Sequence, residues 1–365
     1  MNKQDIISVY GSNPSKMTKA LLEAIDIDSL LPNKASSIAL KPNLVVASSA
    51  DGGATTHPEI VIAIIEFLQQ RGYYNISIVE SAWIGDSTKK GFKVHGYYDI
   101  SDTYNVALID VKDDEYSTKT IHNVTMEVSK AILNTDFLIN LPVLKGHCQT
   151  NMTCALKNMK GCLSDRSKRL FHTLGLHHPI AALNAVRTAD LVIVDSLNGD
   201  LDFEEGGNPV QTNRMFAARD SVLVDTYAAS LIGFELEDIP YITKAREMKV
   251  GSTDLSQAHF IQLNEPSDEE VAKPTGAVAY LSKHIEPLSA CSACYGNLIH
   301  ALKRLDEVDR LQDIKRPICI GQGYKGVVDS TKIGVGICTK GLGKSLKGCP
   351  PKALDMISFL KEMNG

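Results

Sequence analysis

Two neighbouring stretches decide the fold: residues 37–46, SIALKPNLVV, and residues 55–72, TTHPEIVIAIIEFLQQRG. The first is an apolar run that reads as a strand over Ser37–Val46, with Lys41, Pro42 and Asn43 towards its end. The second reads as a helix. A threonine caps it, Pro58 suits the first turn, and Ile60, Val61, Ile64, Ile65 and Leu68 share one face before Gly72 stops it. Runs like the first recur at Ile76–Glu80, Val106–Val111, Phe137–Val143, Leu191–Asp195 and Phe260–Leu263, with helix-like stretches between them. This alternation predicts an α/β layered fold with a mostly parallel sheet and flanking helices.

A further helix is expected over Asn151–Lys160, where Met152, Leu156 and Met159 fall on one face and Gly161 follows as a stop. Residues 264–276 turn acidic and carry Pro266 and Pro274, the composition of a surface connection. The expected organisation is therefore an α/β domain over residues 1–280 and a small C-terminal α/β cysteine-rich module over 281–365. No repeat is present that would build a solenoid or propeller.

The 365 residues are 44% hydrophobic and 22% charged, which excludes a disordered chain. Thirty-eight Lys and Arg against 43 Asp and Glu give −5, so nucleic acid is not expected as a partner. No run approaches the roughly 20 apolar residues of a membrane helix. Residues 1–10 have neither an apolar core nor a small-residue cleavage site. The expectation is a cytoplasmic protein without a membrane partner; the sequence carries no signal of oligomeric state.

Five of the eight cysteines fall in the last quarter of the chain: Cys291 and Cys294 as a C-x2-C pair, then Cys319, Cys338 and Cys349. Two thiolates from one tight turn can bind one metal centre that distant cysteines close. Amphipathic helices are expected after Cys294 and, with Pro350 and Pro351 in the first turn, after Cys349. Helix N-termini favour thiolates and the negative charge of a cluster. Structural zinc more often uses two short knuckles, whereas Cys338 and Cys349 stand eleven positions apart and a proline follows Cys349. The pattern favours a [4Fe–4S] cluster on Cys291, Cys294, Cys338 and Cys349, with zinc as the alternative. Cys319 sits in an apolar run and is expected to pack, as are Cys148, Cys154 and Cys162.

Between Lys145 and His178 six basic residues meet one acid, a local +5 that attracts an anion. Lys145 and His147 follow the Phe137–Val143 strand, and open α/β sheets bind ligands at strand carboxyl ends. The candidate catalytic residues are His147, the general acid or base by its intrinsic pKa, and Lys145. Lys157 and Asn158 would orient the anion. Lys41, Asn43, Thr56 and His57, around a glycine-rich loop and a helix N-terminus, are further candidate binding residues, and Glu80 and Asp195 could add carboxylates to the same rim.

Lys41-Pro-Asn-Leu, Thr56-His-Pro-Glu, Leu141-Pro-Val-Leu-Lys-Gly-His147 and Thr153-Cys-Ala-Leu-Lys-Asn-Met-Lys-Gly161 together resemble the DUF362 family. The resemblance runs from about Lys41 to Gly233, including 195–207 and Asp225. Where the family often has Pro-Lys-Leu-Lys, this chain has Val143 in place of the first lysine. The form it resembles carries a C-terminal region of the Cys-Ser-Ala-Cys and Gly-Cys-Pro-Pro type, and the resemblance implies that this region binds an iron–sulfur cluster. It brings no substrate.

Three functions remain open on this reading. The first is an iron–sulfur oxidoreductase or electron-transfer protein acting on an anionic carboxylate or phosphate substrate, or on a redox partner. The second is a dehydratase or lyase using the cluster as a Lewis acid, which needs one open iron and three protein ligands. The third is a zinc-stabilised binding or scaffold protein. No G-x-G-x-x-G and no P-loop is present, which disfavours nicotinamide and nucleotide chemistry. The loop Gly321–Gly326 is left without a role.

Overall fold

The computed structural model describes residues 1–265 and 276–362. The chain divides into two compact units, Met1–Lys168 with His177–Pro274 and Arg169–Leu176 with Thr275–Gly365. The acidic connection expected over 264–276 lies, apart from its ends, outside the described residues.

The first unit is built on an eight-stranded sheet. In spatial order its strands are His259–Gln262, Asp5–Tyr10, Arg214–Ala218, Leu191–Ser196, Phe137–Leu141, Ile38–Pro42, Ile76–Glu80 and Ala107–Asp110. Seven run the same way and Arg214–Ala218 runs against them. Leu191–Ser196, Phe137–Leu141 and Ile38–Pro42 are buried along their whole length, because helices cover both faces of a central parallel sheet. Neither Asp5–Tyr10 nor Arg214–Ala218 is among the expected strands. A sheet read as parallel expects a helical crossover after Leu191–Ser196, but the chain returns by a loop and adds its next strand antiparallel.

Helix Pro58–Gln70 buries Ile60, Val61, Ile64, Ile65 and Leu68 as its periodicity dictates. Its cap differs from the expected threonine. His57 occupies the cap position, and the Thr56 hydroxyl instead donates to Leu141 O at 2.7 Å and accepts from the Asn43 N–H at 2.8 Å. Thr56 thus ties the loop to two strand ends.

The second unit has a parallel four-stranded sheet, Ile285–Pro287, Ile318–Ile320, Asp329–Val335 and Leu342–Leu346. Helix Ser292–Asp306 packs against helix Ala353–Glu362. The latter starts at Ala353, so Pro350 and Pro351 precede its first turn instead of occupying it. Among the described residues, no helix is long and apolar enough to cross a membrane.

Candidate functional site

Because the central strands of the first unit are parallel, their carboxyl ends place Lys41, Glu80, Asn140 and Asp195 along one edge. The loops that follow bring in the remaining candidates. Two of these loops approach backbone to backbone. A Cβ on Gly146 would strike the carbonyl of Leu201, and one on Gly199 that of Leu144, so only glycine fits at either position.

The expected helix over Asn151–Lys160 is broken into three pieces. Asn151–Thr153 pairs antiparallel with Lys145–His147, Ala155–Asn158 forms a single helical turn, and Met159–Cys162 continues as a 3₁₀ turn. The cause is tertiary. Buried Asp225, from helix Ser221–Leu231, accepts the N–H groups of Ala155 at 2.7 Å and Leu156 at 3.1 Å and starts the helix there. Burial raises the Asp225 carboxyl to about 7 against the pull of these two N–H groups.

The +5 of residues 145–178 is met in part by acids from elsewhere in the chain. Lys157 and His147 both meet Glu204, a residue with no obvious local signal beyond its place in the 195–207 stretch of the family resemblance. Burial works to raise the Glu204 carboxyl, but His147 and Lys157 outweigh it and hold it well below the usual range. Lys41 donates to Glu80 Oε2 at 2.5 Å, with both side chains 3% exposed or less. Gly161 lies directly over this pair, and a Cβ there would collide with the Glu80 carboxyl. Lys168 donates to Ser81 Oγ at 2.6 Å and Ala82 O at 2.9 Å. Lys145 has no carboxylate directly bound: it donates to Ala54 O at 2.5 Å and Glu204 O at 2.8 Å, and burial lowers it to about 7.

His147 is placed differently from a free general base. Its Nδ1 accepts from the N–H groups of Gln149 at 3.0 Å and Thr150 at 3.1 Å, so the ring proton sits on Nε2. Nε2 lies 2.9 Å from Glu204 Oε2 but off the line of a hydrogen bond. Burial lowers His147 to about 4, and the ring stays neutral. Asn158 donates to Asn140 Oδ1 at 2.7 Å, and Asn140 donates to Ala155 O at 2.9 Å, which fixes the Lys157–Asn158 turn over the central strand. Asn43 is buried beside Thr56, and His57 pairs with Asp195 at 2.7 Å.

In the second unit, Cys291 caps helix Ser292–Asp306, with Cys294 in its first turn. Cys338 lies in the 3₁₀ turn after strand Asp329–Val335, and Cys349 follows strand Leu342–Leu346. These four thiols stand within one another's charge. Burial first, and then the like charges of Cys291, Cys349 and Cys338, push Cys294 up to about 12. Cys338 is raised by burial and by Cys291 and Cys349, against Lys325. The loop without an assigned role lies beside them: Gln322 Nε2 donates to Cys291 Sγ at 3.3 Å, and Lys325 is the cation facing Cys338. Cys319 is buried with Tyr324 and Leu342, its Sγ 3.7 Å from Glu286. None of the eight cysteines is in a disulfide, and no group of three His, Cys, Asp or Glu among the described residues stands close enough to hold a single ion.

The fold and site define an α/β protein with buried charge at the strand ends and a separate four-cysteine unit. The chain matches the DUF362 family, described as a domain of unknown function, over residues 38–230, and it belongs to that family. It is 25% identical over 247 residues to Thylakoid-associated protein sll1697 of Synechocystis sp., a match covering 63% of this chain and 73% of that protein. Among solved structures it is similar to the lactate racemase apoprotein of Thermoanaerobacterium thermosaccharolyticum, with a TM-score of 0.43 and 12% identity over 62% of this chain and 56% of that one. A Thermotoga maritima protein gives a TM-score of 0.38 and 13% identity over 68% and 61%. The chain spans less than two thirds of either solved chain.

Proposed function

We propose that this is a cytoplasmic iron–sulfur protein, an oxidoreductase or electron-transfer protein acting on an anionic substrate or redox partner. The observation that carries the reading is the meeting of Cys291, Cys294, Cys338 and Cys349, from three separate segments, within one another's charge, while Cys319 turns into the core. The thiols of Cys294 and Cys338, raised by burial and by their cysteine neighbours, suit a bound cationic centre that would stabilise the thiolates. These four residues would hold a [4Fe–4S] cluster, which supplies one-electron chemistry when bound. The Gln322 amide donates to one of the sulfurs and Lys325 faces another, the kind of contact that tunes a cluster's potential.

In the first unit, Lys145 is buried without a directly bound carboxylate and burial lowers it to about 7, while burial lowers Lys168, 3.8 Å from Asp165, to about 8. The buried Lys145 supports attraction of a carboxylate or phosphate to the strand-end edge. Lys157 and Asn158 are held rigidly there. His147, its Nδ1 held by the Gln149 and Thr150 N–H groups, lies beside Glu204. The free cysteines suit a reducing compartment.

The test is iron and acid-labile sulfide analysis with EPR before and after dithionite, on protein purified without oxygen. About four irons and four sulfides with a signal on reduction support the reading. Stoichiometric zinc without colour overturns it in favour of a scaffold.

A further inference from the structure

Residues 321–352, which carry Cys338 and Cys349, hold six lysines and a single acid, Asp329, a local +5 in a chain of −5. Lys332 pairs with Glu286 at 2.5 Å. The other five, Lys325, Lys340, Lys344, Lys347 and Lys352, are exposed, and no carboxylate among the described residues pairs with any of them. Lys41 and Lys157 of the first unit are buried against Glu80 and Glu204, whereas these five present their charge to solvent.

Hydrogen bonds bring this charge to the thiols. The Gly323 N–H donates to Leu288 O at 2.9 Å and the Gln322 N–H to Ser289 O at 3.0 Å, which lays the Gly321–Gly326 loop against the segment leading to Cys291. Gln322 then bridges charge and sulfur: its Nε2 donates to Cys291 Sγ at 3.3 Å, and its Oε1 accepts from Lys325 Nζ at 3.2 Å. The turn Gln322–Tyr324 packs against the turn Ile337–Thr339, whose Ile337 N–H donates to Gly348 O at 2.9 Å. A Cβ on Gly336 would stand 3.8 Å from Gly348 O and 3.9 Å from Cys294 Sγ, so the helix start, the Cys338 turn and the Cys349 segment converge. Lys340 lies two residues beyond Cys338, and Lys347 two before Cys349. Leu288 and Ile337, on the same segments, are 48% and 54% exposed. Exposed apolar side chains beside half-buried thiols, with lysines around them, have the layout of a protein interface, an apolar centre within a polar rim. Single-stranded nucleic acid stacks on aromatic rings, and Tyr324, the one aromatic of residues 321–352, is 4% exposed.

We propose that this face is the docking surface for a small acidic one-electron carrier protein, with Lys325, Lys340 and Lys347 steering the partner's carboxylates and Leu288 and Ile337 meeting its apolar centre. The redox character of the partner rests on the iron–sulfur reading above, and its acidity on the unpaired lysines. Encounters between electron carriers are small and transient, so complementary charge, more than buried area, sets how fast they form.

The probe is a small acidic plant-type [2Fe–2S] ferredoxin carrying a fluorophore, titrated with the full chain at low and at physiological ionic strength. Wild-type protein should bind it saturably, with affinity falling as salt rises. The triple variant Lys325→Glu/Lys340→Glu/Lys347→Glu, which changes only exposed side chains, should bind about tenfold or more weakly at low salt. Lys16→Glu/Lys93→Glu/Lys119→Glu, which alters net charge equally but on the exposed surface of the first unit, should bind like wild type. No binding at low salt, binding indifferent to salt, or equal binding by the two triple variants would each overturn the proposal. Binding of phosphatidylserine vesicles without binding of ferredoxin would overturn it in favour of a membrane surface. Ferredoxin binding by protein that proves free of iron supports the docking surface and overturns only the iron–sulfur reading, whereas iron-loaded protein that binds no ferredoxin does the reverse.

Discussion

Breaking the Lys41–Glu80 pair should cost far more than removing it whole. Lys41 Nζ donates to Glu80 Oε2 at 2.5 Å and to Pro42 O at 3.0 Å, and the other Glu80 oxygen accepts the Ser81 N–H at 2.7 Å. Neither side chain is more than 3% exposed, so water cannot replace a lost partner. Glu80→Leu leaves a buried ammonium facing a methyl group, and removal of one member of such a pair costs about 3–5 kcal/mol. Lys41→Met leaves a buried carboxylate and should cost a similar amount. The double variant Lys41→Met/Glu80→Leu removes both charges together with their desolvation and should lie within about 1–2 kcal/mol of wild type or above it. The assay is urea unfolding followed by tryptophan fluorescence. Trp83 is the single tryptophan of the chain, three residues beyond Glu80, so it reports on this unit alone. With a slope of roughly 3 kcal/mol/M each single variant should lower the midpoint by about 1–2 M. Single costs below about 1 kcal/mol, or a double cost equal to their sum, would refute the reasoning that the pair is buried and directly coupled.

Serine at Cys291, Cys294, Cys338 or Cys349 should each reduce iron content and visible colour, whereas Cys319→Ser should lower only the stability of its unit; iron loss in Cys319→Ser alone would reverse the ligand assignment. Replacing Gln322 by Leu removes a donor to the Cys291 sulfur, and it should lower the reduction potential in an EPR titration, since hydrogen bonds to sulfur favour the more negative reduced cluster. For His147, folding lowers the pKa from 6.5 to about 4, so between these values the unfolded chain binds the extra proton. Its contribution is therefore full above pH 6.5 and declines as pH falls towards 4. The change is on the order of 3 kcal/mol, and urea midpoints of His147→Asn across this window should show the dependence flattened. Asp225→Ala frees two buried N–H groups of the Lys157–Asn158 turn and should destabilise the first unit by about 1–3 kcal/mol, measured as above.

Several site features were legible before the structure because they depend on local chemistry. The carboxyl ends of parallel strands must share an edge, so Lys41, Glu80 and Asp195 could be placed on one rim from strand pattern alone. The Asn151–Lys160 helix failed because its apolar spacing fits a helix, yet pairing with Lys145–His147 and the distant Asp225 carboxylate decide which residues actually coil. Glu204 escaped notice for a related reason: a single acid in a loop has no pattern of its own, and only its neighbours give it meaning.

The sequence by itself determined the layered α/β class, the buried central strands and the segregation of five cysteines into the last quarter, because hydrophobic runs of strand length must be covered on both faces and thiol spacing is a local property. Tertiary structure alone decided which charges meet. Lys157 and Glu204 are 47 residues apart, Lys41 and Glu80 39, and His57 and Asp195 138. A local surplus of lysines reads as an exposed anion-binding face until the chain folds. Burying those lysines is tolerable only where a carboxylate or carbonyl from another strand arrives beside them, and that arrival is set by sheet order, which no local pattern encodes.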